Sequence, residues 1–208
     1  MKTRIKICGL TREEDVDAAV EAGADAIGLV FYPPSPRYVS PQRAAALVKR
    51  IPPFVDVVGL FVNENPADVR AVCSEVPINL LQFHGDEDAV YCRQFDHPYL
   101  RAARVRPGLD LVEFGRSYSD ARGLLLDAFV DGYGGGGHVF DWKLIPHDLP
   151  GFLVLSGGLT VANVGEAIAR VRPVAVDVSS GVEMGKGIKD HSKIAAFVAA
   201  VRKADESI

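Results

Sequence analysis

Short apolar, β-branched runs recur along the chain, and each gives way to Gly, Pro, Ser or Asn and then to a stretch whose apolar residues fall at helical spacing. The runs begin near residues 4, 26, 55, 80, 99, 123, 152 and 175, with 19 to 29 residues from one start to the next. Ala26-Ile27-Gly28-Leu29-Val30-Phe31 and Phe152-Leu153-Val154-Leu155 are apolar without alternation, as suits parallel strands covered on both faces. The pattern predicts eight strand-helix units.

Helix starts are marked by cap chemistry. Thr11-Arg12-Glu13-Glu14 has the form of a capping box ahead of Val16, Ala19, Val20 and Gly23 on one face. Ser40-Pro41 and Asn65-Pro66 each place a capping side chain before a proline at the first helical position. Thr160 and Asp190 are further predicted caps. The fifth and sixth helices are weakly marked, since Leu109 to Gly115 is short and the stretch after Asp141-Trp142 barely reads as helix.

Eight such units either close into a barrel or open into a doubly wound sheet. Unusual residues gather at the ends of many strands rather than at one switch point, and glycine-rich endings follow strands seven and eight, where barrels often place a phosphate site. The prediction is therefore an α/β fold, a single (βα)8 TIM barrel of eight parallel strands forming one domain over residues 1–208. A chain of 208 residues is long enough to bury roughly 70% of its unfolded surface in one core.

Composition narrows the function. Apolar residues make up 48% and charged residues 24%, and the net charge of -4 supplies no basic field for nucleic acid or an anionic membrane. Apolar runs are too short and broken to span a bilayer. Cys8, Cys73 and Cys92 are odd in number and lack C-x-x-C spacing, so neither a disulfide framework nor a zinc site is expected. These features predict a cytoplasmic protein with no metal and with neither nucleic acid nor membrane as a partner.

The candidate chemistry lies at strand ends. Ser156-Gly157-Gly158 and Ser179-Ser180-Gly181 are turns whose freed backbone N–H groups suit a phosphate, so Gly157, Gly158, Ser180 and Gly181 are predicted phosphate-binding residues. Cys8 ends strand one and Asp127 ends strand six, which in a barrel aims a thiol and a carboxyl group into one mouth as a base and acid pair. Cys73 and Cys92 fall on helical positions expected in the core. Arg37, in the proline-stiffened Tyr32-Pro33-Pro34-Ser35-Pro36-Arg37-Tyr38, is either a clamp for a substrate carboxylate or a solvated surface arginine. His84 is either a polar wall of the mouth or a structural histidine bonded to a backbone carbonyl, and Asp177 either anchors a hydroxyl or fixes the phosphate loop. Gly132-Tyr133-Gly134-Gly135-Gly136-Gly137 lacks the strand and helix context of a dinucleotide fingerprint and reads as a loop, a cover for bound ligand or plain surface.

Taken together, Lys6-Ile7-Cys8-Gly9-Leu10-Thr11, Gly28-Leu29-Val30-Phe31-Tyr32, Ser35-Pro36-Arg37-Tyr38-Val39, Gly59-Leu60-Phe61-Val62-Asn63, Leu81-Gln82-Phe83-His84-Gly85, Leu125-Leu126-Asp127, Phe140-Asp141-Trp142, Ser156-Gly157-Gly158-Leu159 and Asp177-Val178-Ser179-Ser180-Gly181-Val182-Glu183 resemble the phosphoribosylanthranilate isomerase family, in order and over nearly the whole chain. The resemblance implies a cofactor-free Amadori rearrangement of N-(5-phosphoribosyl)anthranilate to 1-(2-carboxyphenylamino)-1-deoxyribulose 5-phosphate in tryptophan biosynthesis. It implies Asp127 as the acid that opens the ribose ring, Cys8 as the base that takes the C2 proton, Arg37 on the anthranilate carboxylate, and Gly157, Gly158, Ser180 and Gly181 on the phosphate. Asp127 must then begin protonated.

Two stretches depart from the family pattern. The usual Gly-Gly-Thr-Gly-Lys is here Gly134-Gly135-Gly136-Gly137-His138, without the hydroxyl and the fixed cation, and Lys186 stands where a proline is frequent. Neither touches the acid or the base. The rival readings are a histidine-pathway or dual-substrate phosphoribosyl isomerase, expected to carry an aspartate in place of Cys8 and a second phosphate loop in the first half of the barrel, and a non-catalytic barrel that binds a phosphorylated metabolite.

Overall fold

The computed structural model describes residues 2–129 and 139–207. Eight strands, β1 (Arg4–Cys8), β2 (Ala26–Val30), β3 (Asp56–Phe61), β4 (Leu80–Phe83), β5 (Tyr99–Val105), β6 (Gly123–Ala128), β7 (Leu153–Leu155) and β8 (Ala175–Val178), pair in parallel with their neighbours, and β8 closes onto β1. The predicted strand starts agree to within one residue. Around this barrel lie α1 (Glu13–Ala22), α2 (Pro41–Val48), α3 (Pro66–Glu75), α4 (Ala89–Arg93), α5 (Leu111–Ser117), α6 (Val164–Val171) and α7 (His191–Glu206). The weakly marked connection after β6 holds, among the described residues, a single 3-10 turn at Trp142–Leu144 capped by Asp141. After β8 a short hairpin, β9 (Glu183–Gly185) with β10 (Ile188–Lys189), precedes α7.

Three of the predicted caps form. Ser40 accepts from the Arg43 N–H at 3.1 Å, Asn65 from the Ala67 N–H at 2.9 Å, and Asp190 from the Lys193 N–H at 3.1 Å. Two do not. The Thr11 hydroxyl donates instead to the Gly187 carbonyl at 2.7 Å, and α1 starts from Arg12 with no side-chain cap. The box's other member, Glu14, pairs with Arg12 at 3.0 Å, and the neighbouring Glu13 ion-pairs with Arg43 of α2. Nor does Thr160 cap a helix. Its N–H donates to Asn163 Oδ1 at 2.8 Å in a turn, and α6 begins four residues later at Val164.

The barrel has two apolar layers. Outward-facing residues such as Ile5, Ile7, Leu124, Leu126, Val176 and Val178 pack under the helices in the main core. Inward-facing Leu100, Ala102, Leu125 and Val154 fill the barrel's own interior, with Leu80 and Ala175 packed against them. A period of two then decides what stands above that floor. Two residues on from Leu80, Leu125, Val154 and Ala175 come Gln82, Asp127, Ser156 and Asp177, so the same inward rows end in polar groups at the carboxyl ends of the strands.

Asp15 ties the two ends of the chain together. It accepts from Arg12 at 2.6 Å, from His191 of α7 at 2.9 Å and from the Lys189 N–H at 3.2 Å. Burial alone would raise its pKa, but these three donors more than offset that and hold the carboxyl below its ordinary value. A lowered folded value contributes stability above the unfolded carboxylate pKa of about 4, and that contribution is lost as the pH falls through the folded value. Thermal unfolding between about pH 5 and pH 2 is expected to show a steep loss of Tm that is shallower in Asp15→Asn. Equal slopes would remove Asp15 from the account.

Candidate active site

The inward rows open into a cavity of about 310 Å3 at the carboxyl ends of the strands, lined by Cys8, Arg37, His84, Asp127, Asp177 and the turns after β7 and β8. Every side chain predicted to bind or react is brought there, together with Gly157, Gly158 and Ser180. The lining stops at Ser180. Gly181 lies just behind it, where an added Cβ would come within 1.9 Å of the Leu159 carbonyl oxygen. Its lack of a side chain lets the β7 and β8 turns close on one another. Cys73 and Cys92 are away from the cavity, packed with the core as expected, and burial pushes the Cys92 thiol up to about 12.

Cys8 and Lys6 project from the same face of β1, two residues apart. Lys6 is only 4% exposed, sits in register with Asp177 of β8, and donates to its carboxylate at 2.8 Å. Burial would lower the Lys6 ammonium's pKa, but Asp177 and Cys8 outweigh it and hold the group above its usual value. Burial pushes the Cys8 thiol up, Lys6 pulls it down, and Asp177 adds to the rise. A fixed cation is thus built beside a thiol that otherwise resists ionisation. On the neighbouring strand Gly28 leaves room for the sulfur, since a Cβ there would lie 2.7 Å from Cys8 Sγ. The second oxygen of Asp177, Oδ1, is buried without a partner among the described residues.

Asp127 stands on β6, separated from β1 by β7 and β8 on the shorter way round the barrel. Its Oδ1 accepts from the Ala128 N–H at 2.9 Å, and its Oδ2 lies 3.1 Å from His84 Nε2. The other ring nitrogen of His84, Nδ1, lies 3.0 Å from the Gln82 side-chain amide nitrogen. His84 therefore belongs to the wall of the mouth, held by two side chains rather than by a backbone carbonyl.

Arg37 is not a solvated surface arginine. It is buried, and its Nε and Nη2 form a bidentate pair with Glu183 at 2.7 and 2.8 Å. That contact fixes the Nε and Nη2 edge of a guanidinium whose side chain lines the cavity. Burial would raise the Glu183 carboxyl's pKa, but Arg37 and Lys189 together hold it below the usual range. Lys189, 1% exposed, reaches from Glu183 at 2.9 Å to the Ser179 carbonyl at 3.1 Å, so the Arg37 clamp and the β8 turn share one support. Burial lowers the Lys189 pKa, only partly offset by Glu183. The β7 turn is shaped by Gly157 and Gly158, at φ of 81° and 62°, and by Asn163 Nδ2 donating to the Gly158 carbonyl at 3.0 Å.

Sequence reasoning missed Lys6, Gln82, Asn163, Glu183 and Lys189 as parts of this site. The first two had a signal, because a polar residue two positions before an inward-facing Cys8 or His84 points into the same barrel. The other three act through folded-back loops, for which spacing carries no sign. The glycine loop and its His138 departure lie outside the described residues, while Lys186 is exposed beside the hairpin turn. Among the described residues no group of three His, Cys, Asp or Glu is arranged to hold a metal, and no helix is long and apolar enough to cross a membrane.

Residues 5–200 match the family model described as N-(5'phosphoribosyl)anthranilate (PRA) isomerase. An N-(5'-phosphoribosyl)anthranilate isomerase of Dechloromonas aromatica (strain RCB) is 84% identical over 208 residues, covering all of both chains. The crystal structure of phosphoribosyl anthranilate isomerase from Thermotoga maritima superposes with a TM-score of 0.90 at 45% identity, covering 97% of this chain and 99% of that one. A phosphoribosyl anthranilate isomerase in complex with reduced 1-(o-carboxyphenylamino)-1-deoxyribulose 5-phosphate superposes with a TM-score of 0.87 at 44% identity, over 97% and 99% of the two chains.

Proposed function

The chain belongs to the N-(5'-phosphoribosyl)anthranilate isomerase family, an enzyme family of tryptophan biosynthesis, and from that premise we propose how its cavity carries out the Amadori rearrangement. The observation that supports this reading is that Cys8, Asp127, Arg37 and the turns after β7 and β8 line one cavity large enough for one small ligand. The substrate phosphate rests on the backbone of the β7 and β8 turns at Gly157, Gly158 and Ser180, with Gly181 holding the turns together. The anthranilate carboxylate takes the free edge of Arg37. Asp127 gives a proton to the ribose ring oxygen, the C1–O bond breaks with its electron pair passing to that oxygen, and a Schiff base forms at C1. Cys8 thiolate then takes the C2 proton to give an enolamine, which tautomerises to the ketone. The unpartnered Asp177 Oδ1 supports a hydroxyl contact, and His84 acts on the substrate's side of the cavity through Asp127. The reaction runs in the cytoplasm, by a monomer or homodimer.

The histidine-pathway reading needs a second phosphate site, and the endings of β3 and β4 argue against one. There the buried Glu87 carboxylate accepts from the Asn63 N–H at 2.7 Å and the Gly85 N–H at 2.8 Å, so a protein anion already occupies those donors. Purified protein given both substrates in parallel is expected to convert phosphoribosylanthranilate with a kcat/KM at least about 10²-fold above that for the bisphosphorylated one. Comparable values would return the dual-substrate reading. Arg37→Ala is expected to raise KM for phosphoribosylanthranilate by roughly 10-fold or more with a smaller change in kcat, the signature of a lost ground-state contact. Unchanged steady-state constants would take Arg37 out of substrate binding.

A further inference from the structure

The surroundings of Asp127 pose a chemical problem. Both of its oxygens face donors, Ala128 N–H at 2.9 Å and, in the arrangement the side chains adopt, His84 Nε2–H at 3.1 Å. The Gln82 amide N–H donates to His84 Nδ1 at 3.0 Å, so a neutral His84 carries its proton on Nε2 and presents it to Asp127. That arrangement suits a carboxylate, whereas ring opening requires a carboxylic acid. Gln82 is fully buried, and its Oε1 is the one side-chain oxygen of this row without a hydrogen-bond partner among the described residues.

We propose that Gln82 is a positioning residue whose amide turns over with the protonation of Asp127, so that the acid and the carboxylate are each held by a complete hydrogen-bond row. Rotation by 180° about the last side-chain bond puts Oε1 where the nitrogen stood. His84 then carries its proton on Nδ1, donating to Gln82 Oε1, and its bare Nε2 accepts from the Asp127 carboxyl O–H. The second arrangement contains one proton more than the first, taken up from water, and that is the proton count ring opening consumes. In both arrangements Ala128 N–H stays on Oδ1, so the carboxyl group keeps its place. The row terminates on Gln82, so each arrangement completes the bonds between Gln82 and Asp127 and leaves one amide group, Oε1 beside the carboxylate and NH2 beside the acid, turned away from the row.

Other charged groups face this row. Cys8 on β1, Arg37 beyond β2 and Asp177 on β8 line the cavity, Lys6 sits beneath them bonded to Asp177, and Arg104 of β5, in register with Asp127, pairs with Asp86. Lys6 with Asp177 and Arg37 with Glu183 are matched pairs. None of these groups contacts His84 Nδ1, which leaves Gln82 to set its tautomer.

The inference rests on the acid role of Asp127, but its test reads the free enzyme. Protein labelled with 15N-histidine reports the His84 tautomer directly, assigned by loss of its signals in His84→Asn. Asp127→Asn imitates the protonated acid, because Ala128 N–H keeps the amide oxygen and the amide NH2 faces His84 Nε2. The expected result is the Nε2–H tautomer in the wild type at alkaline pH and the Nδ1–H tautomer in Asp127→Asn at the same pH. In Gln82→Leu combined with Asp127→Asn the change should be lost, since a buried Nδ1–H would have no acceptor. In Gln82→Glu, whose ionised carboxylate only accepts, His84 Nδ1 should stay protonated, in the neutral Nδ1–H ring when combined with Asp127→Asn and in the doubly protonated ring when Asp127 is an ionised carboxylate. Gln82→Leu alone is expected to lower kcat roughly tenfold with KM within about twofold. One tautomer in all four proteins would overturn the proposal, whereas absence of turnover with these tautomer changes intact would overturn only the isomerase reading.

Discussion

Replacing Cys8 by alanine is expected to lower kcat for phosphoribosylanthranilate by at least about 10²-fold, the scale of a lost general base, while leaving the fold and the anion contacts in place. The reason is specific to this barrel. The thiol is buried and pushed up, so its thiolate, once formed, is a strong base, and the Lys6 ammonium is the cation that makes forming it affordable. Alanine removes the sulfur from a site where Gly28 has left room for it and adds nothing in its place. Substrate binding measured by fluorescence titration should change little, because the phosphate turns and Arg37 are on other strands. A variant retaining near-normal kcat would assign the C2 proton to another group.

Asp127→Asn is expected to be as damaging for a different step. The amide keeps the Ala128 and His84 neighbours, so KM should stay within a few-fold, but it has no proton to give the ring oxygen, and kcat should fall by about 10²-fold or more. The two variants can be told apart. With ring opening made limiting, substrate deuterated at C2 should show an isotope effect near unity in Asp127→Asn. A full primary effect in that variant would place Asp127 in the proton abstraction instead.

The fold was legible because its signal is repeated. Eight apolar runs at similar spacing, each ending in turn chemistry, leave few arrangements in which every strand is covered on both faces, and the closed barrel is the one that gathers Cys8, His84, Asp127 and Asp177 at one end. Cap chemistry was less secure where long-range contacts compete. Thr11 and Glu14 had the residues of a capping box, yet the Thr11 hydroxyl goes to Gly187 and Glu14 pairs with Arg12. The site was legible for the side chains at the carboxyl ends of strands, Cys8, His84 and Asp127, though Lys6 and Gln82, two residues further down the same strands, were passed over. It was not legible where support arrives from elsewhere in the chain: nothing near Arg37 announces Glu183, 146 residues away, and nothing near Ser179 announces that Lys189 folds back beneath it.

Cys8, Asp127, Arg37 and the turns after β7 and β8 line one cavity, and the roles proposed for them as base, acid and two anion sites belong to a single rearrangement. The most direct test is to give the purified wild-type protein phosphoribosylanthranilate beside Cys8→Ala and Asp127→Asn, following the loss of anthranilate fluorescence and identifying the product by mass and chromatography. The account predicts rapid loss of fluorescence and formation of the aminodeoxyribulose phosphate by the wild type alone. Binding of the substrate without turnover by the wild type, or full turnover by either variant, would contradict it.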